Sequence, residues 1–408
     1  MTDLLIRNAR IIDGTTDRPQ DATDIRIADG LVQETGSGLS APGATEIDAA
    51  GRYVMPGLTD AHVHVIAVTA DLKANAALPD TIVAIRSLKL MNAMLMRGFT
   101  TVRDLGGATA ALRMAAAESP VPLPRLNICG KALSQTGGHT DQRGPIDETP
   151  TPERNVPLGS MGIICDGVPA VRRAAREQFR TGTDFLKVMA NGGVSSPSDP
   201  IHFLGFAREE LIAMVEEAEN AGSYVAAHLY TDKAIRRAVE CGIHSLEHCN
   251  LIEPETARLA AAAGCIACPT LVTYDKLSSE GEAMGLPAAS VAKVDDVRLK
   301  GMESLAIMAE AGLPMAYGSD LLGGMQPHQS GEFEIRGRVL PAQTVIASAT
   351  TVAAKLLRME GRIGTLAPGA FGDAILVDGN PLEDLSVLSG QGDRIPVIVK
   401  GGEIVKAG

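Results

Sequence analysis

Two histidines separated by one residue are the sharpest chemical signal in the sequence. His62 and His64 lie in the run DAHVH at 60–64, directly after the turn MPG at 55–57. Because side chains alternate along a strand, both imidazole rings would point to the same side of a predicted strand. In that arrangement they can share one metal ion. A bare H-x-H pair is also compatible with two histidines that only make hydrogen bonds.

Four further polar residues lie in or at the end of apolar runs. Lys187 interrupts the run FLKVM, and a lysine in a buried strand is energetically costly unless it is paired or modified. His228 and His248 lie near the ends of two successive runs, and Asp320 ends another. Each residue belongs to a different predicted strand. Their shared position favours one common metal site over independent structural roles.

A predicted alternation of strands and helices positions these residues. Helical segments such as 207–222 and 231–242 separate most of the apolar runs, and each segment ends at a glycine. Eight strand–helix units predict an α/β fold, a closed (β/α)8 TIM barrel whose strands converge on one mouth. The predicted strands are 58–64, 99–104, 125–130, 184–190, 223–229, 243–248, 265–271 and 314–320. Long loops are predicted at 131–168 and 272–295, both at the mouth.

The two ends of the chain follow a different pattern. Residues 1–55 and 361–408 contain short apolar runs separated by closely spaced Gly and Asp turns, which is typical of a small β-sandwich. Since chain termini often lie close together, the two segments are predicted to form a single β-sandwich domain. The barrel domain would then occupy residues 56–360.

Composition limits the classes of function. Of the 408 residues, 45% are hydrophobic and only 3% are aromatic, so aliphatic side chains must fill the core. The formal net charge of −12 argues against a nucleic acid partner, and no apolar run is long enough to span a membrane. No signal-peptide pattern is present at the N-terminus. The six scattered cysteines are therefore expected to be reduced thiols in a cytoplasmic protein.

The order His-x-His, Lys, His, His, Asp along the chain resembles the amidohydrolase superfamily, and the resemblance covers nearly the whole chain. The segments SQTGGH at 134–139 and KVMANGG at 187–193 are similar to the dipeptidase and carboxypeptidase branch of that superfamily. Members of this branch cleave Xaa-Pro, Xaa-Arg or related dipeptides, and some relatives hydrolyse the amide of ochratoxin. The resemblance implies a homo-oligomer, with octamers among the relatives.

The resemblance also implies a two-metal site. Lys187 would react with CO2 to form a carbamate that bridges two Zn²⁺ ions, although Mn²⁺ or Co²⁺ also fits such ligands. His62, His64 and Asp320 would hold the more buried metal, and His228 and His248 the more exposed one. A hydroxide bridging the metals would attack the substrate, with Asp320 acting as general base and then general acid.

Two more residues are candidates for stabilising the developing oxyanion. Tyr230 follows His228 by two positions, and His139 lies on the long third loop beside two glycines. Both side chains can donate a hydrogen bond to a carbonyl oxygen that becomes negatively charged. For Tyr230 a packed ring with a solvated hydroxyl is an equally good interpretation, and for His139 an ordinary loop histidine is the alternative.

Several other patterns are interpreted as structural. The run HSLEH at 244–248 matches the H-x-x-E-H zinc motif, but that motif needs a helix and this run reads as a strand. His248 is therefore taken as a ligand and His244 as structural. Cys265 and Cys268 have metal-site spacing without a second pair, so they are assigned to the core. His202 and His328 are expected on loops facing the mouth, and neither is assigned a role.

The sequence therefore predicts a zinc-dependent, binuclear amidohydrolase that cleaves a dipeptide or an N-acyl amino acid, including ochratoxin-like amides. A single-metal imidazolonepropionase-like or deaminase-like enzyme is an alternative, but such sites generally lack the lysine at the position of Lys187. A cyclic-amide hydrolase of the hydantoinase type also uses a carbamylated lysine. A scaffold protein without catalysis is the alternative outside the enzymes, and six filled ligand positions argue against it.

Overall fold

The computed structural model describes residues 3–20, 23–144, 146–151, 156–194, 199–284 and 288–408. The strands in these ranges are β1 Leu4–Ile11, β2 Thr23–Ala28, β3 Leu31–Gly36, β4 Thr45–Asp48, β5 Tyr53–Pro56, β6 Leu58–Val63, β7 Phe99–Asp104, β8 Arg125–Ile128, β9 Ala132–Ser134, β10 Gly162–Ile164, β11 Leu186–Met189, β12 Val225–Thr231, β13 Ser245–Leu251, β14 Ile266–Cys268, β15 Ala374–Val377, β16 Val397–Lys400 and β17 Glu403–Ala407. The α-helices are α1 Leu72–Ala76, α2 Asp80–Met96, α3 Ala110–Ala117, α4 Val168–Arg180, α5 Arg208–Asn220, α6 Asp232–Glu240, α7 Pro254–Ala262, α8 Leu271–Glu280, α9 Ala288–Glu310, α10 Gly331–Gly337, α11 Ala342–Ser348 and α12 Thr351–Leu356.

The N- and C-terminal segments form one sheet. Its strand order is β17-β16-β15-β5-β1-β2-β3, and β4 also pairs with β1. The antiparallel pairing of β5 with β15 joins the two ends of the chain, with Val54 opposite Leu376. Aliphatic residues from both segments, such as Ile25 and Val399, pack into one buried cluster. The predicted pairing of the termini is therefore observed, whereas the two-layer sandwich and the domain boundaries remain predictions.

Two parallel sheets form the central part of the molecule. One has the order β6-β7-β8, and the other has the order β10-β9-β11-β12-β13-β14. Their strands coincide with seven of the eight predicted strands to within a few residues. Strand β12 lies at the centre of the second sheet and pairs with both β11 and β13. The carboxyl ends of these parallel strands therefore lie side by side, as the site requires.

The predicted eighth strand at 314–320 is reduced to a single bridge between Ala267 and Met315. Backbone hydrogen bonds nevertheless attach this segment on both sides, from Ala316 N to Ala267 O and from Ala61 N to Tyr317 O, each 2.8 Å long. The segment is too irregular for a ladder because the chain turns at Asp320, whose φ is +53°. Closure of the barrel remains a prediction.

The predicted long loop at 272–295 is wrong because that segment is largely helical, whereas the predicted loop at 131–168 contains only two short strands. The short strands β9 and β10 lie within 131–168 and pair in parallel. Residues 272–280 belong to α8, and α9 begins at Ala288. The buried residues Leu271, Tyr274 and Leu277 of α8 recur at intervals of three, which is the spacing of a helix face. The polar residues Asp275 and Lys276 separate Tyr274 from Leu277, and further polar residues follow at 278–280, so the pattern was not recognised in the sequence.

The remaining helices cover the parallel sheets and bury their apolar faces against them. Thr231 caps α6, since its side chain accepts a hydrogen bond from the backbone of Ala234. The residues α6 buries, such as Ile235 and Ala238, belong to the largest apolar cluster. All six cysteines are unpaired and buried, in agreement with the expectation of reduced thiols. Among the described residues, no helix has the length and apolarity that a membrane crossing needs.

Candidate active site

The six predicted ligands come from five separate segments and line one pocket. His62 lies on β6 and His64 directly after it, whereas Lys187, His228 and His248 lie on β11, β12 and β13. Asp320 follows the irregular segment 314–319. The pocket has about 740 Å³ of space, including the part open to solvent. His139 and Tyr230 line the same pocket, so the structure brings together all eight residues to which the sequence assigned a role in the site.

The carboxylate of Asp320 lies at the centre of this group. Its Oδ1 is 3.1 Å from Nε2 of His64 and 3.3 Å from Nε2 of His62. Its Oδ2 is 3.9 Å from Nδ1 of His248. The ligand atoms of His62, His248 and Asp320 all lie within 4.8 Å of one another, which is close enough for one metal ion.

His228 and His248 form a second pair of facing nitrogens. Nδ1 of His228 lies 2.9 Å from Nε2 of His248. Two ring nitrogens on one tetrahedral zinc lie roughly 3.3 Å apart, because each Zn–N bond is about 2.0–2.1 Å. The spacing therefore suits two imidazoles that share a metal. Nε2 of His228 is buried and has no hydrogen-bond partner among the described residues.

The opposite ring nitrogens of three histidines are held by the protein. Nδ1 of His62 lies 2.8 Å from a carboxylate oxygen of Glu247, and Nδ1 of His64 lies 3.3 Å from the carbonyl oxygen of Gly106. Nδ1 of His248 lies 2.8 Å from Oγ1 of Thr270. Metal-bound histidines commonly donate their second N–H to such a partner, which fixes both the tautomer and the ring orientation.

Burial and charge set the protonation of the site. Burial lowers the pKa of His62, but the carboxylates of Asp320 and Glu247 raise it by more. Burial would raise the pKa of Asp320, but His62 and its neighbours hold that pKa well below its usual value. Burial also drives the pKa of His228 and of His248 far down. Asp320 is therefore a carboxylate at neutral pH, and His228 and His248 are neutral.

An unmodified, protonated Lys187 is energetically unfavourable in this pocket. It is only 2% exposed, and burial lowers the pKa of its amine although Glu247 and Asp320 oppose the shift. No hydrogen-bond acceptor for Nζ of Lys187 is found in the described ranges. A buried ammonium without partners is strongly disfavoured. Burial shifts Lys187 toward the neutral amine, which is the form that reacts with CO2.

Unusual backbone geometry accompanies the site. His248 and Asp320 have φ values of +71° and +53°, a region that residues other than glycine rarely adopt. Such strain collects at functional sites, where the surrounding structure holds it in place. Gly318 is needed for a different reason, since a Cβ there would lie 2.7 Å from Cβ of His62. The segment before Asp320 can therefore approach β6 only with glycine at this position.

His139 and Tyr230 flank the outer histidine pair. The ring of His139 stacks on His228 with centroids 4.2 Å apart, and its Nδ1 lies 3.3 Å from a carboxylate oxygen of Asp199. Tyr230 is buried, and its ring stacks on His248 at 5.2 Å. Gly193 makes room for His139, because a Cβ there would lie only 2.0 Å from that ring. Both predicted donors therefore contact the outer histidine pair and line the pocket.

Three supporting residues were missed by the sequence interpretation. Glu247 holds His62, and its second oxygen pairs with Arg103 Nη2 at 2.7 Å with both side chains fully buried. Asp104 accepts backbone hydrogen bonds from Val65, Gly106 and Ala108, which shapes the turn beside His64. Glu247 lies in the H-x-x-E-H run, but side-chain alternation along β13 would place it on the face opposite to His248, so the run did not indicate its contact with His62. No pattern indicated Arg103.

The remaining nominated residues lie outside the pocket. His244 contacts the ring of Tyr224 at the start of β13, and His328 lies 3.1 Å from Glu280 at a different surface cleft. His202 is exposed and contacts Phe203, so neither predicted loop histidine lines the pocket. Cys265 and Cys268 are buried, although Sγ of Cys268 lies within 4.8 Å of ligand atoms of His62 and Glu247.

Comparison with known proteins agrees with this arrangement. Residues 53–404 match the model of the amidohydrolase family. The chain belongs to the amidohydrolase family. It is 31% identical over 372 residues to an ochratoxinase from Aspergillus niger, covering 86% of this chain and 75% of the relative.

Solved structures support the same assignment. A crystal structure of an amidohydrolase has 46% sequence identity and a TM-score of 0.98 with this amidohydrolase. A prolidase complexed with N-methylphosphonate-L-proline has 44% identity and a TM-score of 0.98. Both comparisons cover 100% of each chain. The fold is therefore of the TIM-barrel type found in this family, and the protein is a hydrolase of the superfamily.

The donor set of this amidohydrolase fits metal ions. Nδ1 of His62 and Nδ1 of His64 both face acceptors, so each must carry a proton. If the rings are neutral, their Nε2 lone pairs both point at Oδ1 of Asp320, which is itself an acceptor. Such a buried group of lone pairs is stabilised by a cation between its members, either a proton on one imidazole or a metal ion. Imidazole and carboxylate ligands in this arrangement are typical of zinc.

Proposed function

We propose that the protein is a binuclear, zinc-dependent amidohydrolase that cleaves the amide bond of a dipeptide or an N-acyl amino acid. The observation that carries this proposal is the convergence of Nε2 of His62 and Nε2 of His64 on Oδ1 of Asp320. The other ring nitrogen of each histidine, Nδ1, contacts a hydrogen-bond acceptor of the protein, which is Glu247 for His62 and the carbonyl oxygen of Gly106 for His64. The ochratoxinase and prolidase relatives make a linear amide with a carboxylate on the leaving side the preferred substrate class.

The proposed ligand assignment follows the geometry. His62, His64 and Asp320 would hold the inner metal, and His228 and His248 the outer one. Lys187, as a carbamate formed with CO2, would bridge them, which removes the cost of a buried cation. When bound, the metal pair supplies an activated water molecule and polarises the carbonyl group. We also propose that the segment 314–320 closes the two parallel sheets into a barrel around this site.

The chain's own residues would then handle protons and charge. Asp320 is ionised and 17% of its side chain is exposed, so it can take a proton from the attacking water. It can then pass that proton to the nitrogen of the leaving amine. Tyr230 and His139 would donate hydrogen bonds to the carbonyl oxygen as negative charge develops. Apolar lining residues such as Met161, Met189 and Leu322 exclude water and accept an apolar side chain.

A substrate panel tests this proposal. The protein is loaded with zinc in bicarbonate buffer and assayed against dipeptides, N-acyl amino acids, ochratoxin A and hydantoin, with metal content measured in parallel. We expect about two metals per chain and turnover of linear amides with a free carboxylate. Hydrolysis of hydantoin alone would indicate a cyclic-amide hydrolase instead. One metal per chain, or no turnover of any amide, would contradict the proposal.

A further inference from the structure

A chain of hydroxyl groups connects a predicted metal ligand to the predicted oxyanion donor. Nδ1 of His248 lies 2.8 Å from Oγ1 of Thr270, and that hydroxyl donates to the hydroxyl of Tyr274 over 3.5 Å. The Tyr274 hydroxyl in turn donates to the hydroxyl of Tyr230 over 3.0 Å. All four side chains are at most 3% exposed, so water does not compete strongly for these contacts.

The direction of this chain is fixed at its histidine end. Nε2 of His248 faces Nδ1 of His228, and in the proposed site it is the nitrogen that would bind the outer metal. A neutral imidazole carries one proton, which must then lie on Nδ1 and be donated to Thr270. A hydroxyl has one proton, so Thr270 passes the donor role to Tyr274 and Tyr274 passes it to Tyr230. The proton of Tyr230 is left for an acceptor in the pocket.

We propose that Thr270 and Tyr274 are positioning residues that orient the hydroxyl proton of Tyr230 toward the substrate carbonyl oxygen. This inference rests on the proposed function, because it assumes that Tyr230 meets that oxygen. Consecutive hydrogen bonds of one direction polarise each other, which strengthens the last donor. The ring of Tyr230 stacks on His248, so the two ends of this series of hydrogen bonds are in direct contact.

A double-mutant cycle on the zinc-loaded protein tests the role of Tyr274. Tyr230→Phe is expected to lower kcat by about 100-fold, the usual effect of removing one oxyanion donor. Tyr274→Phe keeps the ring and removes the hydroxyl that links Thr270 to Tyr230 through two hydrogen bonds, so we expect kcat to fall by about 10-fold with KM unchanged. The double variant should match Tyr230→Phe alone, because Tyr274 acts only through Tyr230. Independent, multiplying losses would show a separate role for Tyr274 and overturn the proposal.

Ligand affinity gives a readout that does not depend on turnover. Calorimetry would measure binding of an N-methylphosphonate dipeptide mimic, whose tetrahedral oxyanion resembles the transition state, and binding of the product amino acid. Tyr274→Phe should weaken the mimic about 10-fold and leave the product unchanged, whereas equal weakening of both would overturn the proposal. Thr270→Ser should bind the mimic as tightly as the wild type. Thr270→Val should weaken the mimic as much as Tyr274→Phe does. Equal metal content in both variants excludes a loss of His248 as a ligand.

Controls separate this inference from the proposed function. Tyr53→Phe removes a half-buried hydroxyl in the terminal sheet and should leave kcat and mimic affinity unchanged. If the wild-type protein hydrolyses no amide and binds no mimic, the proposed function and this inference both fail. If the wild type is active and Tyr274→Phe equals it in kcat and in mimic affinity, only the hydroxyl chain is refuted.

Discussion

His62 and Glu247 are joined by a buried hydrogen bond of 2.8 Å between Nδ1 of the ring and a carboxylate oxygen. The same carboxylate is paired with Arg103, whose Nε also donates to the carbonyl oxygen of Ala61 over 2.6 Å. Burial raises the pKa of Glu247, but Arg103 and His62 lower it further than burial raises it. Glu247 therefore stays ionised and fixes the His62 ring with Nε2 toward Asp320.

Glu247→Gln should weaken metal binding. The neutral amide loses the charge that orients His62 and places an N–H donor against Arg103 or His62, so metal affinity should fall by about 10- to 100-fold. Chelator competition measures that affinity. Glu332→Gln is the matched control, since Glu332 and Arg336 form an equally buried pair with a 2.7 Å contact away from the pocket. Both variants should lose stability, and unchanged metal affinity in Glu247→Gln would contradict the positioning role.

Lys187→Met should separate stability from activity. Methionine has a similar length and no charge, so the metal-free variant should be at least as stable as the metal-free wild type. The variant has no amine to form a carbamate, and we expect fewer than two metals per chain and a kcat lowered by 1,000-fold or more. Urea unfolding after chelation and metal analysis after reloading measure the two effects. A metal-free variant several kcal/mol less stable would show that Lys187 is a structural cation instead.

Asp320→Asn should remove turnover while leaving the pocket able to bind ligand. The amide has nearly the same shape but cannot accept a proton from water, so kcat should fall by about 100- to 10,000-fold. Binding of a product amino acid, followed by calorimetry, should change far less than kcat. The comparison requires equal metal content, because Asp320 is also a predicted ligand. Near-normal kcat with full metal occupancy would exclude Asp320 as the proton carrier.

The sequence predicted the ligands better than it predicted their supports. The predicted ligands lie in or at the carboxyl ends of separate apolar runs. Because these runs form parallel strands, their carboxyl ends lie side by side and the ligands come together. Arg103 acts across the sheets, on Glu247, which is 144 positions away in the chain. No local spacing encodes such a pair. The structure of α8 was missed for a local reason, because polar residues such as Asp275 and Lys276 separate its buried residues in the sequence.

Lys131→Met should loosen one wall of the pocket. Nζ of Lys131 is buried and donates to the carbonyl oxygens of Gly107, Pro157, Leu158 and Ser160 at 2.5–3.2 Å. Ser160 and its neighbour Met161 form part of the pocket wall. The ammonium group therefore links the wall segment 157–161 to Gly107, in the turn after β7.

Methionine at position 131 would leave those carbonyl groups without their donor, at a cost of about 2–3 kcal/mol. Hydrogen exchange should accelerate in residues 157–161, and KM should rise more than kcat falls. Lys73→Met is the control, because Lys73 is exposed and only pairs with Asp147 at the surface. Unchanged exchange in 157–161 would show that other contacts, such as Asn75 Nδ2 with Gly159 O, hold the wall alone.

His244 should make the protein sensitive to mild acid. Burial, followed by the charges of Arg358, Arg103 and Lys355, lowers the pKa of His244 to about 4. A histidine in the unfolded chain has a pKa near 6.5. As the pH falls from about 6.5 to 4, the unfolded chain therefore binds a proton that the folded protein does not, and the folded state loses stability.

His244→Gln should remove that contribution, which amounts to about 2–3 kcal/mol for a shift of this size in a half-buried ring. The free energy of unfolding is measured by urea titration at pH 7.5 and at pH 4.5. Its decrease from pH 7.5 to pH 4.5 should be smaller for the variant than for the wild type. His202→Gln removes an exposed histidine and should retain the wild-type difference. Parallel pH profiles for wild type and His244→Gln would mean that His244 takes up its proton equally readily in both states.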